Sequence, residues 1–185
     1  MKYSFDEITG DLRHYFNWSI NALLPRYPGA ADNLLTLYGN EIKNAARNLL
    51  WVVDYNPSTL YRGVILRKPV TEITPAPSMK YLSFSIDKTV TEHFADVNGF
   101  GSDIIDVAKQ LGEHGYVIEY TPQPEEVLFH YSLLDLLPYS EAFTMLGING
   151  LREVHGLKQQ KEVMILQPAA PLRKIKKFIS YSIIQ

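Results

Sequence analysis

The chain has no cysteine, which excludes disulfides, thiolate metal ligands and a cysteine nucleophile. It also has little net charge: 18 Lys and Arg stand against 20 Asp and Glu, leaving −2. No global basic field therefore argues for nucleic acid as a partner. No apolar run approaches a membrane span, and the opening MKYSFDEITG lacks the apolar core of a signal peptide. The expected location is the cytoplasm, or the interior of a target cell reached by some other route. Familiar catalytic signatures are missing too. His14, His93, His114, His130 and His155 fall into no H-E-x-x-H or comparable spacing, so no metal is expected. There is no G-x-S-x-G elbow and no P-loop. Gly99-Phe100-Gly101 lacks the third glycine and the preceding strand of a dinucleotide fingerprint.

What is present is an ordinary globular composition, with 46% hydrophobic and 21% charged residues over 185 positions. That length suits a single domain with an adequate core. Its first 55 or so residues are expected to be a helical part. Phe5, Ile8, Leu12, Phe16, Ile20 and Leu23 recur at helical spacing from Ser4 to about Leu24. A stronger helix runs from about Ala31 to Val53, striped by Leu34, Leu35, Tyr38, Ile42, Ala45, Ala46, Leu49 and Val53. Gly39 weakens that helix without ending it. These helices are read as scaffold and carry no chemistry.

Strands follow. Thr59–Arg67 is the first, with Leu60, Val64 and Leu66 on one face and Arg62 in line with them. A buried arginine is costly unless it has an anionic partner, the plain reading being a pairing with a carboxylate, and Gly63 beside it permits close backbone approach. A loop with three prolines, Lys68 to Ser78, leads to a second strand, Tyr81–Ile86. Ser83 and Ser85 share one of its faces. Asp87 or Thr89 can cap a short helix ending near Ala95, with Val90 and Phe94 inward. A further short helix is expected over Ile104–Leu111, ended by Gly112 and Gly115. Strands then follow over Tyr116–Tyr120 and from Val127, and one or two helical turns over Ser140–Leu146. After a loop, Gln160 and Glu162 stand two residues apart at the head of an apolar run. In a strand they project side by side. Arg173 to Lys177 form a basic cluster that discourages edge pairing, ahead of a last strand, Phe178–Ile184.

The order Arg62, then Ser83-Phe84-Ser85, then Gln160-Lys161-Glu162 resembles the mono-ADP-ribosyltransferase family of the arginine–serine–glutamate class. The resemblance covers roughly Thr59 to Leu166. It implies an α+β fold, a split β-sandwich with NAD as co-substrate in its central cleft, and a protein acceptor of the kind modified by toxin- and phage-type enzymes. Cleaving the nicotinamide–ribose bond develops positive charge at the ribose C1 carbon, and Glu162 is the implied carboxylate that stabilises it. Arg62 is the implied forked cation for the diphosphate. Ser83 and Ser85 supply hydroxyls, Ser83 holding the glutamate. Gly63 offers backbone groups to the nicotinamide amide, and Phe100 is placed to stack on nicotinamide. Gln160 meets the incoming nucleophile, and the loop Gly147–Gln159 recognises the target.

This chain departs from the family pattern in three places. Phe84 stands where a threonine is common. Gln160 stands where arginine-modifying members have a glutamate. Leu157 stands where Gln-type members often carry an aromatic. A neutral amide is no general base toward a guanidinium, which disfavours an arginine acceptor. The alternatives are NAD hydrolysis, a nucleic-acid acceptor, or an inactive binding module with Arg62 and Glu162 as a structural ion pair.

Overall fold

The computed structural model describes residues 8–24, 27, 29–56, 58–76, 78–96, 114–145, 156–168, 172 and 175–178. Helix α1 (Gly10–Leu23) buries Tyr15, Phe16, Trp18, Ser19, Ile20 and Leu23, a large aromatic load for fourteen residues. Two of its buried hydroxyls find partners inside the core. The Tyr15 hydroxyl donates to the Leu128 carbonyl at 2.9 Å, and the Tyr139 hydroxyl donates to Ser19 Oγ at 2.9 Å. Helix α2 (Ala30–Val52) matches its expected span within one residue and packs on α1. It bends at Tyr38 (φ −128°), next to Gly39, and the Tyr38 ring stacks on His14 of α1 at 3.8 Å. Among the described residues no helix is long and apolar enough to cross a membrane.

The remaining elements are β1 (Leu60–Leu66), β2 (Tyr81–Ser85), α3 (Lys88–Ala95), β3 (His114–Tyr120), β4 (Val127–His130), α4 (Leu137–Met145), β5 (Glu162–Leu166) and β6 (Ile175–Phe178). The fold is thus α+β, with the strands in one sheet of order β4-β5-β2-β1-β3-β6. Every pairing is antiparallel. The sheet is uneven. β1 runs with β3 from Leu60↔Tyr120 to Leu66↔His114, and β2 runs with β5 from Tyr81↔Leu166 to Ser85↔Glu162. Between them, β1 and β2 share only the pair Tyr61↔Ser85. Two three-stranded halves therefore meet at a single point and part beyond it.

Several expectations shift. Gly115, expected to stop a helix, lies inside β3 opposite Ile65. Lys176 and Lys177 of the basic cluster sit within edge strand β6, paired to Val117 and Tyr116. The expected helix over Ile104–Leu111, the residue Phe100 and the strand beyond Phe178 lie outside the described residues.

Helix α3 closes over the gap. Its N-cap is Asp87, whose carboxylate accepts from the Thr89 N–H at 3.0 Å. It can lie so close to β1 because Gly63 has no side chain: a Cβ there would stand 2.0 Å from the Thr91 carbonyl oxygen and 2.9 Å from the Ala95 nitrogen. Both obstacles are backbone, so the helix itself would have to move. Gly63→Ala should therefore destabilise the fold by at least about 1–3 kcal/mol, read as a lower urea midpoint with unchanged slope. An unchanged midpoint would mean that α3 does not rest on Gly63.

Candidate functional site

The gap between the halves opens into a cavity of about 340 Å³. Its walls come from β1 (Tyr61, Arg62, Gly63, Val64, Ile65), β2 (Ser83, Phe84, Ser85), α3 (Val90, Thr91, Phe94) and the approach to β5 (Gln160, Glu162). Six of the seven residues singled out from sequence thus line one space. The seventh, Phe100, lies outside the described residues.

Ser83 is the junction. Where β1 and β2 part, the Arg62 guanidinium crosses to donate to the Ser83 carbonyl at 2.5 Å. The Ser83 hydroxyl points the other way along the cavity wall and donates to Glu162 Oε1. The register explains that second bond: Ser85 stands opposite Glu162, so Ser83 is its diagonal neighbour on the same sheet face, within side-chain reach. Ser85 is buried and its hydroxyl donates to the Gln160 carbonyl at 2.7 Å, while accepting from the Asp87 N–H at 3.0 Å.

Gln160 needs a correction. It does not project from a strand beside Glu162, because β5 begins at Glu162. Residues 156–159 form one helical turn, and Gln160 and Lys161 form the turn that follows it. Lys161 takes a left-handed conformation (φ 46°), uncommon for a side chain with a Cβ. Alternation therefore does not relate the two residues. Gln160 is exposed at the mouth while Glu162 is half-buried in the wall. Phe94, expected to face inward, is 44% exposed and lines the cavity. A second space of about 570 Å³ shares Val90, Phe94 and Gln160 with the first and adds Thr89, His93, Gly156 and Gln159.

Burial governs both charges. It pushes the Glu162 carboxyl above its ordinary value of 4.5, against the opposing pull of the Ser83 hydroxyl and the Arg62 charge. It also lowers the Arg62 guanidinium, against the attraction of Glu162. Among the described residues no cluster of three or more His, Asp or Glu is placed to hold a metal ion. No family model, no curated protein and no solved structure matches the chain.

Since folded Glu162 holds its proton more tightly than the unfolded chain does, its contribution to stability is most favourable below 4.5. That contribution declines as pH rises through the raised value. Glu162→Gln has nothing to titrate there. Its urea midpoint relative to wild type should improve as pH climbs from about 4.5 to 7, whereas a pH-independent difference would show a fully hydrated carboxylate.

Proposed function

We propose that the protein is a mono-ADP-ribosyltransferase of the split-sandwich type, moving ADP-ribose from NAD to a protein acceptor with release of nicotinamide. The observation that carries this reading is the Arg62–Ser83–Glu162 chain at the gap between the two half-sheets. It hangs a cation and a carboxylate on one residue at the wall of a cavity. The residues suit the nicotinamide–ribose end of NAD. Glu162 is an acceptor group held in a fixed place, Gly63 lines the wall beside Arg62, and Phe94 offers an aromatic face.

Bound NAD supplies a pyridinium leaving group that takes the C–N electron pair and leaves positive charge at the ribose C1 carbon. Glu162 stabilises that charge electrostatically, and its fixed position means little reorganisation as the charge develops. Ser83 restrains the carboxylate at the cavity wall through one of its two oxygens. Arg62 spends one donor on the Ser83 carbonyl. A guanidinium has five, and the remainder serve the diphosphate. Gln160, at the mouth, orients the acceptor. Gln160, which borders the second space, is a neutral amide and no general base toward a guanidinium, which favours a neutral acceptor such as a side-chain hydroxyl or amide.

One feature supports an inactive module of the same fold as the second reading: Arg62 also satisfies a strand carbonyl, a purely structural task. Activity separates the two. Wild-type protein with labelled NAD and lysate should release nicotinamide and label an acceptor. Glu162→Gln should lose about 10²–10³ in rate while binding NAD as before. Well-folded wild type without either signal would favour the module.

The ionised form of Glu162 is the active one. Nicotinamide release should therefore fall on the acid side with a midpoint above 4.5, the ordinary value for a glutamate. A midpoint at or below 4.5 would remove Glu162 from the catalytic role.

A further inference from the structure

The segment between Gln160 and Glu162 is held by more bonds than a surface turn needs. The Lys161 carbonyl accepts from the Ile86 N–H at 3.3 Å, the Gln160 carbonyl accepts from Ser85 Oγ at 2.7 Å, and Lys161 Nζ pairs with Asp87 Oδ2 at 3.0 Å. All three partners are consecutive residues at the exit of β2. Asp87 divides its labour: Oδ2 takes the lysine, while Oδ1 accepts from the Thr89 N–H and hydroxyl at the start of α3. One carboxylate thus joins the turn that presents Gln160 to the helix that forms the opposite wall through Val90, Thr91 and Phe94. A left-handed lysine persists only where its surroundings impose it, and these are the groups that do so.

We propose that Asp87 and Lys161 are positioning residues whose ion pair holds Gln160 at a set distance from Glu162, so that an acceptor, rather than water, captures the ribose C1 carbon. The inference rests on the transferase reading. In the step concerned, the C1–nitrogen bond breaks with its electron pair leaving on nicotinamide. A bond forms from C1 to the acceptor heteroatom, and the acceptor's proton passes to solvent. Water follows the same balance and yields free ADP-ribose. Which of the two attacks is decided by how tightly the mouth holds the acceptor, and a displacement of about 1 Å can cost up to 10²-fold. Neither Asp87 nor Lys161 lines the cavity, so NAD binding itself should not depend on them.

Two variants isolate the pair. Asp87→Asn keeps an oxygen to cap α3, and Lys161→Met keeps the length of the stem. In each, labelling of the acceptor should fall roughly 10-fold and NAD hydrolysis by less than 3-fold, with KM for NAD within 2-fold of wild type. The double variant should be no worse than either single one, because both remove the same interaction. Equal losses of transfer and hydrolysis, in step with a lowered melting temperature, would overturn positioning in favour of general loosening. So would additive losses, a raised KM or unchanged partition. Wild type that releases no nicotinamide would overturn the transferase reading itself. Wild type that turns over alongside unaffected variants would overturn the clasp alone.

Discussion

The arrangement depends on one residue being used from both ends. Ser83 stands beyond the one pair, Tyr61↔Ser85, that β1 and β2 share, and a partly buried carbonyl costs free energy unless something donates to it. Arg62 answers it from across the gap. The hydroxyl of the same residue is then free to hold Glu162 on the other side. Backbone geometry and side-chain chemistry are thereby linked. The point where the ladder fails sets where the guanidinium lies, and the Ser85↔Glu162 register sets where the carboxylate lies. Gly63 completes the constraint by letting α3 come down over the opening, so that the gap becomes a walled cavity instead of a cleft in the sheet.

Much of this was legible from local pattern. Alternation along Tyr81–Ser85 puts both serines on one face, and the register confirms that they share it with Glu162. Arg62, expected to meet an anion, does so only in part: its direct partner is the neutral Ser83 carbonyl, with Glu162 acting through its field. Asp87 is a cap, as its type and place before a helix suggest. What was not legible depends on long-range contact. Nothing local shows that Lys161 is left-handed, because the bonds that impose it come from residues more than seventy positions earlier. Gln160 counts as a strand residue only if alternation continues upstream of Glu162, and β5 begins at Glu162 itself. Phe94 counts as an inward residue by helical period alone, yet the surface it meets is the wall of a cavity, which a period cannot reveal. The single-pair junction of the half-sheets is likewise a property of two strands together.

The electrostatics suit the proposed site better than a pair kept for stability. A polar pair kept for stability should be better off together than apart, yet here burial outweighs mutual attraction at both partners, raising the carboxyl and lowering the guanidinium. Apolar side chains of similar volume commonly stabilise such positions as well or better. The neighbouring core shows that this chain can supply them, since Val163, Met164 and Ile165 follow Glu162 directly and are wholly buried. A structural solution was equally close to hand: β1 and β2 could have continued their ladder past Tyr61↔Ser85, pairing the Ser83 carbonyl with backbone and removing the need for Arg62. The strands part instead, and a carboxylate and a cation line the opening. Shifted groups gathered at a cavity mark a functional site more often than a scaffold. A developing positive charge at the ribose carbon would offset the cost of the buried carboxylate at the moment it forms, which is the condition for catalysis by differential stabilisation.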